Sequence, residues 1–128
     1  DVNLRDNFDK TPLYYAITNN NIIVVDKLLQ SGVNPNEIID VYFPIEWAAV
    51  YGHRAIVDTI IANGADVNAI DETTGQSALH LASMNGYPDV IHLLLEHKAD
   101  INRKDKAGFS PLMQAVIGQH HDSVKLLI

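Results

Sequence analysis

The feature that most restricts this chain is a hexapeptide that returns about every 33 residues. Thr11-Pro-Leu-Tyr-Tyr-Ala16, Phe43-Pro-Ile-Glu-Trp-Ala48, Ser77-Ala-Leu-His-Leu-Ala82 and Ser110-Pro-Leu-Met-Gln-Ala115 superimpose, with second positions 32, 34 and 33 residues apart. An apolar pair follows each at a fixed offset: Leu28-Leu29, Ile60-Ile61, Leu94-Leu95 and Leu127-Ile128. The tails Gly32-Val-Asn-Pro-Asn36, Gly64-Ala-Asp-Val-Asn68 and Lys98-Ala-Asp-Ile-Asn102 come next. A unit this short cannot bury an apolar face alone, so its stability has to come from stacking on its neighbours.

Each unit carries the punctuation of two helices. Thr11, Ser77 and Ser110 can accept a hydrogen bond from first-turn N–H groups, and Pro12, Pro44 and Pro111 suit the first helical position, where no donor is needed. Gly52 and Gly86 end the first helix by taking a left-handed conformation, with Asn20 as the substitute in the first unit. A second helix is predicted over roughly 22–30, 54–62, 88–97 and 121–128. None is long enough to be stable in isolation.

Taken together, these four hexapeptides, their apolar pairs and their tails resemble the ankyrin-repeat family over essentially all 128 residues. The resemblance implies an all-α solenoid of stacked antiparallel helix pairs with outward β-turn fingers. It divides a single domain, 1–128, into repeats at about 4–36, 37–68, 69–102 and 103–128. Asp1-Val-Asn3 matches the tail of a preceding repeat and Ile128 falls inside a fourth unit, so the expectation is a portion of a longer array with further ankyrin repeats in the parent chain.

Repeat two departs most from the pattern. Where the family finger reads Asp-x-x-Gly-x-Thr, this chain has Ile38-Ile-Asp-Val-Tyr-Phe43, and Glu46 replaces the family histidine. Such an apolar finger is either a contact patch or a loop folded back on the solenoid. Repeat three has an extra residue within Asp71-Glu-Thr-Thr-Gly75, Lys98 stands where glycine is usual, and so does Gln119 in repeat four. A left-handed Lys98 should cost on the order of 1 kcal/mol.

Reactive constellations are missing. No phosphate-cradling glycine loop is present, so no nucleotide or other cofactor is expected. His92-Leu-Leu-Leu-Glu96-His97 has one residue too many for an inverted zinc motif, and no metal is expected there. His80 stands where the family histidine bonds to a neighbouring finger's backbone. Asp66-Val-Asn68 and Asp100-Ile-Asn102 lack the glycine and bidentate glutamate of a calcium loop. Asn68 and Asn102 are similar to tail asparagines that asparaginyl hydroxylases modify in some ankyrin proteins. The chain is not expected to be an enzyme.

A net charge of −7 argues against general nucleic-acid binding, and Lys98, Arg103, Lys104 and Lys106, interrupted by acids, read as a solvated turn. The absence of cysteine and of any run of 18 apolar residues leads to the expectation of an intracellular, cytoplasmic setting without membrane insertion of this segment.

The function implied is a protein–protein interaction scaffold that binds a protein or peptide on a concave surface of fingers and first helices. The alternative is the targeting or regulatory arm of a larger enzyme or channel. By the family pattern the variable positions include Phe8, Lys10, Ile39, Asp40, Tyr42, Tyr51, Met84 and Phe109, and the aromatics among them are either partner anchors or packing between fingers. Residues 34–97 hold nine acids against Arg54 alone. In repeat two, Asp40 and Glu46 accompany Tyr42, Trp47 and Tyr51, so the expected partner presents a basic and apolar segment.

Overall fold

The computed structural model describes residues 1–128 as eight short helices. They are α1 (Pro12–Thr18), α2 (Ile22–Gln30), α3 (Pro44–Val50), α4 (Arg54–Ala62), α5 (Ala78–Asn85), α6 (Pro88–Glu96), α7 (Pro111–Ile117) and α8 (His121–Leu127). Each odd-numbered helix packs on the even-numbered one that follows it, and the pairs stack in chain order. The result is an inner layer of α1, α3, α5 and α7 and an outer layer of α2, α4, α6 and α8.

The helix starts follow from local chemistry. The hydroxyls of Thr11, Ser77 and Ser110 accept the N–H of Tyr14, His80 and Met113 respectively, and proline opens α1, α3 and α7. Phe43 has no hydroxyl, so the cap of α3 is reversed: the Glu46 carboxylate accepts the Phe43 N–H at 2.8 Å. After the inner helices the chain turns through left-handed residues, Asn20 (φ 55°), Gly52 (φ 70°), Gly86 (φ 72°) and Gln119 (φ 60°). Glycine is required at Gly52 for a second reason, since a Cβ there would lie 2.6 Å from the Tyr87 ring. Lys98 is left-handed, at φ 69°.

Burial comes from stacking. Ile17, Val25, Ala48, Ile56, Val57, Ile60, Ala82, Val90, Ile91 and Leu94 are wholly enclosed, in one apolar cluster that runs from Leu13 to Leu127. A polar ladder links the tails. Asn36 accepts the Asp66 N–H at 2.8 Å and donates to the Gly64 carbonyl at 3.0 Å. Asn68 repeats this one unit on, accepting from Asp100 N–H at 2.8 Å and donating to the Lys98 carbonyl at 3.3 Å.

The fingers are closed at their bases by backbone pairs: Asp6 N–H to Lys10 O, Ile39 N–H to Tyr42 O, Asp71 N–H to Gln76 O and Asp105 N–H to Phe109 O. Finger two is the shortest. Ile39 and Tyr42 exchange backbone hydrogen bonds across Asp40 and Val41, and Asp40 supplies the left-handed residue (φ 61°) that glycine supplies in fingers three and four.

This resolves the two readings of the apolar finger in favour of folding back. Ile39 takes the place of the leading aspartate, is 3% exposed, and its carbonyl accepts the Trp47 indole N–H at 2.9 Å. Of its apolar side chains only Val41 remains exposed, at the tip.

Candidate functional site

The finger and inner-helix face carries a row of uncovered apolar side chains. Phe8 in finger one is 77% exposed, Tyr51 at the end of α3 43% and Phe109 in finger four 38%. Met84 is half-buried on α5. Large apolar side chains are exposed elsewhere too, among them Ile22, Ile23 and Val24 on α2 and Val116 and Ile117 on α7, but the exposed phenylalanines are both in fingers. Exposed aromatic side chains are candidates for contact with a partner.

Three of the residues expected to meet a partner are largely enclosed. Ile39 lies inside the folded-back finger, Glu46 is 0% exposed, and Trp47 is 9% exposed with its indole N–H already bonded. Ile39 and Glu46 have internal roles, which corrects the expectation that they contact a partner, while the Trp47 ring lies under the Lys10 ammonium, 5.2 Å from its centroid. Tyr42 is half-buried, with its ring edge-on to Trp47 at 5.0 Å. Asp40 is exposed but forms an ion pair with Lys10. Phe8, Tyr51, Met84 and Phe109 keep positions open to a partner.

Glu46 shows why its position tolerates two chemistries. At the equivalent place in the next repeat, Ser77 N–H donates to His80 Nδ1 at 3.2 Å, which leaves the proton on Nε2 to bond the Phe109 carbonyl of finger four at 3.1 Å. Burial holds the His80 pKa below its ordinary value, consistent with a neutral ring. Glu46 makes the link with opposite polarity, accepting the Asp71 N–H of finger three at 3.2 Å. Burial, reinforced by the nearby Asp71 carboxylate, raises its pKa to about 8 against the pull of the Phe43 and Asp71 N–H groups.

The acids of residues 34–97 are also spread more widely than the contact argument assumed. Asp58, Asp89 and Glu96 sit on outer helices, Asp66 on a tail, and Asp71 is buried. Glu37 pairs with Arg5 at 3.0 Å. Only Asp40 and Glu72 lie exposed in fingers two and three. Net charge therefore overstates the negative character of the finger and inner-helix face.

In repeats one, two and four the position three residues into the inner helix ties the finger to its helix, whereas repeat three has Leu81 there. Tyr15 OH donates to the Asp6 carboxylate at 2.5 Å, Trp47 Nε1–H to the Ile39 carbonyl, and Gln114 Nε2–H to the Asp105 carboxylate at 3.3 Å. The bond from Tyr15, with the Lys10 N–H, holds the Asp6 pKa below its ordinary value.

Sequence reasoning missed Tyr14, which stands where repeats two and three have Glu46 and His80. Its ring meets Trp47 edge-on at 4.9 Å, and Lys10 Nζ lies 4.7 Å from the Tyr14 ring centroid and 5.2 Å from that of Trp47. The available signal was an aromatic at the family histidine position beside a tryptophan at the following position of the next repeat.

Asn68, considered for hydroxylation, is engaged through both side-chain atoms in the tail ladder, whereas the Asn102 side chain is exposed. His92 pairs with Glu96 on α6 at 3.2 Å and His97 approaches Asp58 at 3.8 Å. No helix is long and apolar enough to cross a membrane.

Residues 45–128 match the family model for ankyrin repeats in three copies, and residues 8–40 match that for a single ankyrin repeat. The chain belongs to the ankyrin-repeat family.

It is 35% identical over 113 residues to a putative ankyrin repeat protein of fowlpox virus (strain NVSL), covering 85% of this chain and 33% of that protein. A putative ankyrin repeat protein of Rickettsia bellii (strain RML369-C) is 34% identical over 122 residues, covering 91% of this chain and 45% of the relative. Human ankyrin repeat and SOCS box protein 6 is 32% identical over 96 residues, covering 74% of this chain and 23% of the relative. The chain thus spans less than half the length of these curated relatives. Ankyrin repeats generally mediate protein–protein interaction, and the family is typically non-catalytic.

Proposed function

We propose that this ankyrin array is a non-catalytic binding module that takes a protein or peptide partner on its finger and inner-helix face. The observation that carries the reading is the exposure of the aromatic rings of Phe8 and Phe109 in the fingers and of Tyr51 at the end of α3, at 77%, 38% and 43%. Asp40 and Glu72 at the fingers favour a partner segment that sets Lys or Arg beside an apolar residue. Aromatic burial then governs residence time, and charge governs encounter.

The alternative, a targeting arm of a larger protein, uses the same face and is favoured by the fraction of its relatives that the chain spans. Further repeats are part of the proposal. Val116 on α7 is 56% exposed, whereas its equivalents Ile17, Ala49 and Ser83 are enclosed where the next repeat packs on them. A following ankyrin repeat would cover Val116 in the same way.

The test is binding kinetics with an identified partner. Tyr51→Ala should speed dissociation and cost about 1 to 3 kcal/mol, as loss of a buried aromatic anchor does. Asp40→Asn should mainly slow association and flatten its salt dependence. A partner that binds both variants with wild-type kinetics would place the site elsewhere.

A further inference from the structure

We propose that Tyr14, Trp47 and Asp40 form a recognition site for a lysine ammonium of the partner, and that Lys10 occupies it as an internal stand-in until the partner displaces it. This rests on the protein-binding reading above and names the chemistry at one point of that face.

The site is assembled from two repeats. Tyr14 is on α1, Trp47 on α3 and Asp40 in finger two, and Lys10 reaches across from finger one. The Tyr14 and Trp47 rings stand 83° apart with centroids at 4.9 Å, making a corner of two π faces. Lys10 Nζ sits in that corner, 4.7 Å and 5.2 Å from the two centroids, with the Asp40 carboxylate against it. An ammonium over aromatic faces with a carboxylate beside it is a complete cation-binding arrangement.

The Trp47 side of the corner is held by contacts other than Lys10. The Trp47 indole N–H is held by the Ile39 carbonyl, and the ring is flanked by Tyr42 at 5.0 Å and Tyr51 at 6.4 Å. The Lys10 side chain is 15% exposed, and its ammonium has Asp40 as its one hydrogen-bond partner, so displacing it breaks a single hydrogen bond. An incoming lysine remakes the bond to Asp40 and both ring contacts, so exchange itself is close to neutral. The contacts the partner adds at Tyr51 and Phe8 tip it toward the bound state.

The corner takes a flexible four-carbon stem with a compact charge, as its internal occupant shows. Lysine fits that description better than the planar fork of arginine.

Trp47 is the sole tryptophan, so its fluorescence and indole NMR signal report on this site alone. The probe is Nα-acetyl-lysine N-methylamide at constant ionic strength, with the uncharged norleucine analogue as control. Lys10→Ala should half-saturate at about one-tenth of the probe concentration that wild type needs, the factor expected when an internal ligand fills a site about nine-tenths of the time. Norleucine should leave both signals unchanged, and Asp40→Asn added to Lys10→Ala should abolish the response. Lys10→Ser provides the same comparison if the alanine chain loses its fold.

The proposal is overturned if the vacated chains respond no better than wild type, or respond equally to lysine and norleucine. If that happens while Tyr51→Ala still weakens a partner, the binding face stands and only the cation site is lost. If neither substitution matters to a partner, the protein-binding reading of this face fails as well.

Discussion

Replacing Glu46 with glutamine should change the stability of this array with opposite sign on the two sides of neutrality. Both carboxylate oxygens are used, one by the Phe43 N–H at 2.8 Å and the other by the Asp71 N–H at 3.2 Å. Glutamine has a single acceptor oxygen and must turn its NH2 toward one of these donors. At pH 5, where buried Glu46 is neutral, Glu46→Gln should therefore be less stable by about 1 kcal/mol, the net worth of one hydrogen bond.

At higher pH the comparison reverses. The folded-state pKa of about 8 exceeds the ordinary 4.5, so the native state holds a proton that the unfolded chain has released. This contribution is fully present below 4.5 and is lost as pH rises through 8, at about 1.4 kcal/mol per pH unit. Over that interval the loss is at most about 5 kcal/mol, a large part of the stability of an ordinary domain. Glutamine does not titrate, so by pH 9 the variant should be the more stable chain by on the order of 2 to 4 kcal/mol.

His80 works in the other direction. Its lowered pKa means that the unfolded chain takes up a proton first as pH falls, but both proteins carry His80 and the difference between them cancels it. Urea unfolding of both chains at pH 5, 7 and 9 and fixed ionic strength measures the effect. A stability difference that stays constant across the three would show that Glu46 has an ordinary carboxylate pKa and that the account of its burial is wrong.

Three further substitutions test the packing between repeats, each read from thermal or urea unfolding. Asn68→Ala should cost about 1 to 2 kcal/mol because it removes both rungs to the next tail, while Asn102→Ala should stay within about 0.5 kcal/mol. Lys98→Gly should stabilise the chain by up to about 1 kcal/mol by relieving a left-handed lysine. Gly86→Ala should cost about 2 kcal/mol or more, since the new methyl meets both a left-handed backbone and the His120 ring.

What the sequence made legible was whatever rests on neighbouring residues. Thr11, Ser77 and Ser110 announce helix starts because a cap acts within one turn, and Asn20, Gly52 and Gly86 mark helix ends for the same reason. The stacking followed from the period itself.

The contact surface was less legible, because it depends on residues far apart in the chain. The sequence leaves Ile39 either in a contact patch or in a folded-back loop, and only the bond from the Trp47 indole, eight residues on, to its carbonyl decides between them. Glu46 reads as a surface acid, since glutamate is rarely enclosed. Only the Asp71 N–H from the next finger makes its burial tolerable. Charge counting failed for a geometric reason: acids close in sequence divide between outer helices, tails and fingers. The corner holding Lys10 needs residues 10, 14, 40 and 47 together, and no local pattern encodes it.

The central claim is that the finger and inner-helix face, rather than the outer helices, meets the partner. Site-specific photocrosslinking in the full-length parent protein, within the cells that make it, tests this most directly. A photoreactive amino acid is placed in turn at Phe8, Tyr51 and Phe109, and at Lys27, Asp58 and Glu96 on the outer helices. The account predicts discrete protein adducts of one common mass increment from the first three positions and none from the second three. Adducts confined to the outer-helix positions would contradict it.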